Sequence, residues 1–510
     1  MTTHSIAAAR FQVDLSAMGG PMKRSWELAV GCGDAWSILR TDLQEQLRRA
    51  VRECGFRYLR CHGILSDQMQ AVRRDREGKI VYNWQLVDGV YDALLEIGLR
   101  PMVELGFMPS ALASGDQAVF FYRANVTPPA DYEEWNRFID ALVRHWRERY
   151  GEDELRRWYF EVWNEANLSG FWSSTQEEYF RLYAETARTI KAIDLALRVG
   201  GPATSRGEWL PEFMAWCRQH GAPVDFVSTH VYPDDDDFGK VDPEYRAIFN
   251  RGDYLEKIVQ QATEAMAGAR PIGAEGRLEI HWTEWNSSWR WGRPIHDVTN
   301  QAAYICRVLH HVHEQVDSFA FWTISDIFNE FPYPRATFVG GFGLITIDGV
   351  PKPGYHAYAL LHRLGDTELA VQRLDAGEAD LQHGGIDLWA TREGSDYQLL
   401  LSNYLPPRLD GAVQPTRPFT LSCEGLLPGT ILRATEHRVD SEHANGLSAW
   451  EKLGRPDTPT RQQLTELRAA AALEPLEPSL VRADHAGRLT LSGTMQPGSV
   501  TLFELSASAG

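Results

Sequence analysis

Between residues 27 and 365 the chain alternates short apolar runs with longer stretches in which apolar residues recur every three or four positions. The first kind of pattern forms buried strands and the second forms amphipathic helices. The apolar runs fall at 27–33, 56–63, 99–109, 157–167, 198–203, 225–233, 278–286 and 318–326. Helical stretches lie at 42–55, 131–151, 175–194 and 300–316; acidic residues open the first three, and Gly55 and Gly151 close two of them. Eight strands alternating with helices predict an α/β fold of the (β/α)8 TIM barrel class. Beyond residue 365 the pattern changes to short strand-like runs at 398–405, 418–425, 487–493 and 498–505, separated by Pro and Gly turns. That region predicts an accessory antiparallel β-sandwich. Residues 8–18 precede the first barrel strand and are expected to pair with the sandwich, dividing the chain into 1–20, 21–360 and 361–510. Residues 440–475, rich in Ala and charge, read as an exposed and partly helical excursion.

Composition narrows the partners. A formal charge of −18 over 510 residues disfavours nucleic acid and anionic membrane surfaces, while a small neutral molecule is easily accommodated. The six cysteines show no CxxC pair and no regular spacing, so they read as reduced thiols rather than a zinc cluster or a disulfide framework. Arg10 and Asp14 interrupt any secretory apolar core near the start, and no 18-residue apolar run follows, so a cytoplasmic location is expected. A monomer is slightly favoured over an oligomer.

In a parallel barrel the reactive groups stand at the C-terminal ends of the strands. Here those ends are polar. His62 closes the second run, Asn164 and Glu165 the fourth, His230 and Tyr232 the sixth, Glu284 and Asn286 the seventh, and Asp326 the eighth, with Asn329 and Glu330 just beyond. A carboxylate at the end of an apolar run is expensive to desolvate. A single glutamate so placed is usually a satisfied polar group at a strand terminus, but two, on strands four and seven, can converge on one bond from two sides. Glycoside hydrolysis needs that pair: one carboxylic acid protonates the departing oxygen while the other carboxylate attacks the anomeric carbon, with retention when about 5–5.5 Å separates them.

"VWNEANL" resembles the acid/base motif of clan A glycoside hydrolases, and "HWTEWN" resembles their nucleophile motif. Together with "VGCG", "LRCHG", "STHVYP", "FWTISDIFNE" and "GGFGLIT", the ordered set resembles glycoside hydrolase family 39, the β-xylosidases and their α-L-iduronidase relatives. The resemblance implies Glu165 as general acid/base and Glu284 as nucleophile. It also implies Asn164 at the sugar 2-hydroxyl, His62 at the 3-hydroxyl, Glu330 at hydroxyls further round the ring and Trp322 beneath the sugar. Trp163, Phe171 and Trp172 offer Glu165 an apolar setting that raises its pKa, and His230 and Tyr232 are expected to orient Glu284. Two departures stand out: Ala166 where relatives carry Pro, and Asn329 with Glu330 where β-xylosidases carry paired acids.

The long loop at 114–129, with Phe121, Tyr122 and Arg123, is read as a lid over the leaving-group subsite, with Phe121 a substrate contact. Asp234 to Asp237 are read as a solvated turn rather than a cation site. The expected activity is an exo-acting retaining β-xylosidase that needs no cofactor and no metal. Competing specificities on the same fold are α-L-iduronidase, α-L-arabinopyranosidase and β-galactosidase, the first requiring an Arg such as Arg293 or Arg335 at the sugar carboxylate. A carbohydrate-binding scaffold without catalysis is disfavoured by the presence of both glutamates.

Overall fold

The computed structural model describes residues 8–235, 254–375, 384–406 and 415–507. Eight parallel strands close a barrel. They are β1 (Ala29–Asp34), β2 (Tyr58–His62), β3 (Arg100–Leu105), β4 (Tyr159–Val162), β5 (Arg198–Ser205), β6 (Phe226–Val231), β7 (Glu279–Trp285) and β8 (Ser318–Phe321). The ring shuts where Phe321 of β8 pairs with Val30 of β1. Helices pack outside it, among them α1 (Thr41–Cys54), α2 (Tyr132–Tyr150), α3 (Gln176–Ile193) and α4 (Thr299–Val312). The Asp131 side chain accepts the first free N–H groups of α2, and Thr175 does the same for α3. Between helices and barrel lies a continuous apolar core anchored by Trp135, Trp146, Trp158 and Trp282.

Registry inside the barrel sets up its electrostatics. Glu161 of β4 stands opposite Glu104 of β3, two inward carboxyls side by side, and Arg60 of β2 pairs with Met102 one strand further on. Two carboxyls so close are tolerated when a cation stands beside them or one of them keeps its proton.

The accessory part forms two stacked sheets. One contains Val371–Arg373, Ala9–Asp14, Arg417–Glu424 and Leu489–Met495; the other is built around Gly385–Glu393, Asp396–Tyr404, Ser499–Ala507 and Ile431–Val439. Phe11, Val13, Leu399, Leu401, Leu421 and Leu505 fill the space between them. The sheets are not wholly antiparallel, because Ala9–Asp14 runs parallel to Arg417–Glu424 and antiparallel to Val371–Arg373. A strand arriving from before the barrel has no hairpin to reverse it, so its direction is free.

Residues 440–475 are partly helical and mostly exposed or half-buried, with one buried seam. Helices Gly446–Lys452 and Arg461–Ala470 form there, the second closed at its start by a capping box between Thr460 and Gln463. Leu467 and Ala471 are buried against Phe338 and Val350, and Trp450 packs on Phe338 at 5.6 Å. All six cysteines are buried free thiols. Among the described residues no helix is long and apolar enough to cross a membrane.

Candidate active site

The strand carrying Glu161 stops at Val162, five residues before its apolar run suggested. Trp163 (φ 72°) and Glu165 (φ 45°) then enter left-handed backbone, which residues with a Cβ seldom occupy. The surroundings hold this turn in place. The Glu165 N–H donates to the Ala203 carbonyl at 2.8 Å, and the Trp163 indole N–H donates to the Phe171 carbonyl at 2.8 Å. Trp172 meets Trp163 edge-on at 5.1 Å. The result turns the Glu165 carboxyl into the barrel mouth, buried among aromatic rings.

One guanidinium organises the floor beneath it. Arg60 is fully buried and donates from Nε to Glu161 (2.6 Å), from Nη1 to Glu284 (2.7 Å) and from Nη2 to Asn164 (2.9 Å), with Glu104 also 2.9 Å from Nη2. The Tyr232 hydroxyl donates to the other Glu284 oxygen at 2.7 Å. Both Glu284 oxygens are therefore fixed, and Arg60 supplies the opposite charge that a buried carboxylate needs. With its carbonyl engaged by Arg60, Asn164 has its amide N–H groups to offer to the cavity.

Burial pushes neighbouring groups in opposite directions. It lifts the Glu165 carboxyl to about 7 and Glu104 to about 8. Glu330 also rises well above the usual range, through burial and then the nearby Glu284. Burial opposes ionisation of Glu161 as well, yet the charge of Arg60 wins and holds that carboxyl below its ordinary value. His62 and His230 fall to about 4 by desolvation and are neutral.

The proton on Glu165 follows from hydrogen-bond directions. The Thr283 hydroxyl donates to the ionised Glu161 at 2.8 Å, so its oxygen accepts from His230 Nε2 at 3.1 Å. A neutral imidazole with its proton on Nε2 offers a lone pair at Nδ1. That nitrogen lies 3.0 Å from Glu165 Oε1, and the contact is a hydrogen bond when Glu165 carries the proton. His230 thus attends Glu165 rather than Glu284, from which it lies 3.8 Å away, contrary to the orienting role expected of it. Strand register sets His230 opposite Glu284, yet Thr283, the β7 residue skipped by the register shift there, engages Nε2 and leaves Nδ1 to Glu165. Tyr232 alone of the two bonds Glu284.

Over these groups opens a cavity of about 210 Å³. His62, Asn164, Glu165, Tyr232, Glu284, Trp322 and Glu330 line it together, and an oxygen from each of Glu165 and Glu284 lies within 4.8 Å of the other. His62 is held by Glu104 at 2.6 Å and turns Nε2 toward Glu284 and Glu330, 3.5 Å from each. Trp322 crosses Gly31 so closely that a Cβ there would stand 2.5 Å from the indole. Only glycine leaves room for the ring.

Other expected positions fall elsewhere. Phe121 is 62% exposed, and it is Phe120 that lines the cavity and stacks on His62 at 5.8 Å. A positive φ of 66° at Phe120 swaps the two rings. Asn329 is half-buried and off the cavity wall. Asp326 bonds the buried Lys352 at 2.7 Å, and Asn286 donates to the Trp322 carbonyl at 2.6 Å, so both are supports. Asp234 and Asp235 are buried, not a solvated turn: Asp234 receives Ser288 and the Trp289 backbone N–H, while Asp235 accepts from the Tyr232 N–H at 2.7 Å. Asp236 and Asp237 lie outside the described residues. Trp289 and Trp291, which also line the cavity, were not singled out from sequence. Nor were Arg60, Glu104 and Glu161, although a charge inside an apolar barrel strand is itself a sign that it has an inward mate.

A parallel barrel whose mouth sets two glutamates across one small cavity, one proton-bearing and one bound by a guanidinium, is built as a glycosidase. The chain belongs to the glycosyl hydrolases family 39, whose sequence pattern matches residues 9–489. It is 36% identical to a β-xylosidase of Geobacillus stearothermophilus, covering 95% of this chain and 93% of that one. A β-xylosidase of Caldicellulosiruptor saccharolyticus is likewise 36% identical, over 89% and 90%. The crystal structure of a monomeric β-xylosidase from Caulobacter crescentus CB15 superposes with a TM-score of 0.85 at 34% identity, over 98% of this chain and all of that one.

Proposed function

We propose that the chain is a retaining exo-β-xylosidase that releases xylose from the non-reducing end of short xylo-oligosaccharides. The observation that carries the reading is the approach of Glu165 and Glu284 to within 4.8 Å across a cavity of about 210 Å³. Inversion requires about 6.5–9.5 Å to admit a water between the carboxyls. Glu284 attacks the anomeric carbon and forms a glycosyl ester, while Glu165 passes its proton to the glycosidic oxygen. Glu165, now ionised and facing the His230 lone pair, takes a proton from the incoming water, which cleaves the ester with a second inversion. Asn164 is positioned for the 2-hydroxyl, Trp322 for the apolar face of the ring, and His62 and Glu330 for the remaining hydroxyls.

A neutral pentose is favoured over a uronic acid by the wall chemistry. Among the described residues the cavity is lined by Glu165, Asp235, Glu284 and Glu330 and by no Lys or Arg. Arg293 and Arg335 are exposed and off the wall. A panel of aryl glycosides, with the anomer of the first-formed sugar followed by NMR, tests the assignment. Fastest turnover of the β-xyloside with retention supports it, whereas a preference for the iduronide would overturn the sugar.

Replacing Glu165 with Ala should cut turnover of xylobiose by roughly 10²–10⁴-fold, the usual worth of general acid catalysis. Formation of the glycosyl ester from a dinitrophenyl xyloside, which needs no protonation, should be nearly unaffected. Equal losses in that step and on xylobiose would remove Glu165 from the role. The same proton sets the alkaline limb. Because the acid form is required and the carboxyl titrates near 7, kcat/KM for xylobiose is expected to be flat below that pH on this limb and to fall about tenfold per unit above it. A limb beginning near 9 would contradict the assignment.

We also take the chain to be a monomer, in line with the monomeric Caulobacter relative, and cytoplasmic, in line with six unpaired buried thiols.

A further inference from the structure

A second cavity, of about 900 Å³, lies away from the glutamates, in the seam between the barrel and the accessory sheets. Three histidines of "LHHVHE" stand there: His310 and His311 at the end of α4, and His313 just after it. Consecutive helical residues project about 100° apart, so two adjacent imidazoles converge only on an atom seated between them. Asp387, on strand Gly385–Glu393 of the accessory sheet, supplies that atom. His310 Nδ1 and His311 Nε2 each lie 3.1 Å from Asp387 Oδ2, and the three ligand atoms are mutually within 4.8 Å.

We propose that His310, His311 and Asp387 form a binding site for a borderline divalent transition-metal ion such as Zn²⁺, clipping α4 to the accessory sheet. Metal–ligand bonds of 2.0–2.2 Å give polyhedron edges of about 3.0 Å when octahedral and about 3.4 Å when tetrahedral. Both nitrogen-to-oxygen separations fall in that interval. Two imidazoles and one carboxylate suit zinc, cobalt or nickel better than the oxygen-seeking magnesium or calcium. The donors are also held from behind. His311 turns its other nitrogen toward the Glu256 carboxylate at 3.4 Å, the outer carboxylate that metal-bound histidines generally carry. The Asp387 Oδ1 atom accepts the Leu388 N–H at 3.1 Å, which directs Oδ2 to the cluster, and Trp389 stacks on the His310 ring at 4.7 Å. His310, His311 and Asp387 all line the cavity, which provides entry and space for water as further ligand.

The site's place in the fold assigns it a structural role. Helix α4 leaves the C-terminal end of β7 and runs back to the start of β8, so its last turn is at the barrel face opposite the catalytic mouth. An ion there joins two parts of the chain without touching substrate.

The test is calorimetric titration of the EDTA-treated, desalted full chain with ZnCl₂, paired with thermal melts in zinc and in EDTA. One Zn²⁺ per chain with a micromolar or lower Kd is expected, together with a higher Tm in zinc. His311→Ala and Asp387→Asn should each weaken binding at least about 100-fold and erase the Tm difference, while Glu256→Gln weakens it about 10–100-fold. His485→Ala, an exposed control, should change nothing. Wild-type chain that neither binds zinc nor changes Tm would overturn the proposal without recourse to any variant, leaving the cluster a pair of ion pairs. Undiminished binding in both His311→Ala and Asp387→Asn would place the zinc elsewhere, at Glu165, His230 and Glu284 or at His313 and Glu368, and would overturn it equally.

Discussion

Glu284→Gln is expected to lower kcat on every xyloside by roughly 10⁵- to 10⁶-fold, the scale on which loss of a covalent nucleophile is felt. Unlike Glu165→Ala, it should spare no class of leaving group, because each substrate must form the glycosyl ester. The substitution keeps volume and leaves an acceptor oxygen for Arg60, while the Tyr232 hydroxyl can turn to accept from the new amide N–H, so folding should survive and circular dichroism should match wild type. Incubation of wild type with a 2-fluoro-xyloside, followed by peptide mapping, gives the complementary result: the label should reside on Glu284. A label on any other carboxylate, or substantial turnover by the glutamine variant, would remove Glu284 from the mechanism.

The second large effect is expected at a residue that never touches the bond being broken. Arg60→Ala removes the cation that, among the described residues, faces Glu104, Glu161 and Glu284 together, from a fully buried position. Breaking a buried ion pair from one side costs about 3–5 kcal/mol, and here Glu161 and Glu284 lose a charged mate while Glu104, which burial raises to about 8, loses a donor. The urea midpoint should drop accordingly, with the loss largest at neutral and alkaline pH. Acid should partly restore stability, because protonation discharges the abandoned carboxyls. Arg60→Lys should recover little, since an ammonium cannot direct separate donors to Glu161, Glu284 and Asn164 as the guanidinium fork does. An unchanged midpoint in Arg60→Ala would show that the network is an ornament of the barrel.

These two residues mark where sequence was legible. Glu284 stood out because it ends an apolar run, and the alternation of runs and helical stretches was enough to place it at the mouth of a barrel. Glu165 stood out for the same reason, although its strand stops at Val162 and a left-handed turn supplies the final placement, which periodicity does not encode. Arg60 lies inside its run, where a charge breaks the apolar pattern and reads as noise until Glu104 and Glu161 are brought beside it by strands far apart in the chain. The swap of Phe120 for Phe121 turned on a single backbone dihedral. The His230 assignment failed because Thr283 takes its Nε2 and leaves Nδ1 to Glu165, a contact that no count of apolar positions reveals. The burial of Asp234 depends on Ser288 and Trp289, more than fifty residues later.

The strand Ala9–Asp14 has a consequence for how the chain is made. Its neighbours on both sides are Val371–Arg373 and Arg417–Glu424, so an interior strand of the sheet emerges from the ribosome first and the rest arrives some four hundred residues afterwards. At about 5–20 residues per second, a nascent barrel trails an unclaimed β-edge for tens of seconds. That edge is a template for misassociation with neighbouring nascent chains. Expression should therefore be more sensitive to growth temperature and chaperone supply than the barrel alone would suggest, and genes ending before residue 417 should yield aggregates rather than a working truncated enzyme.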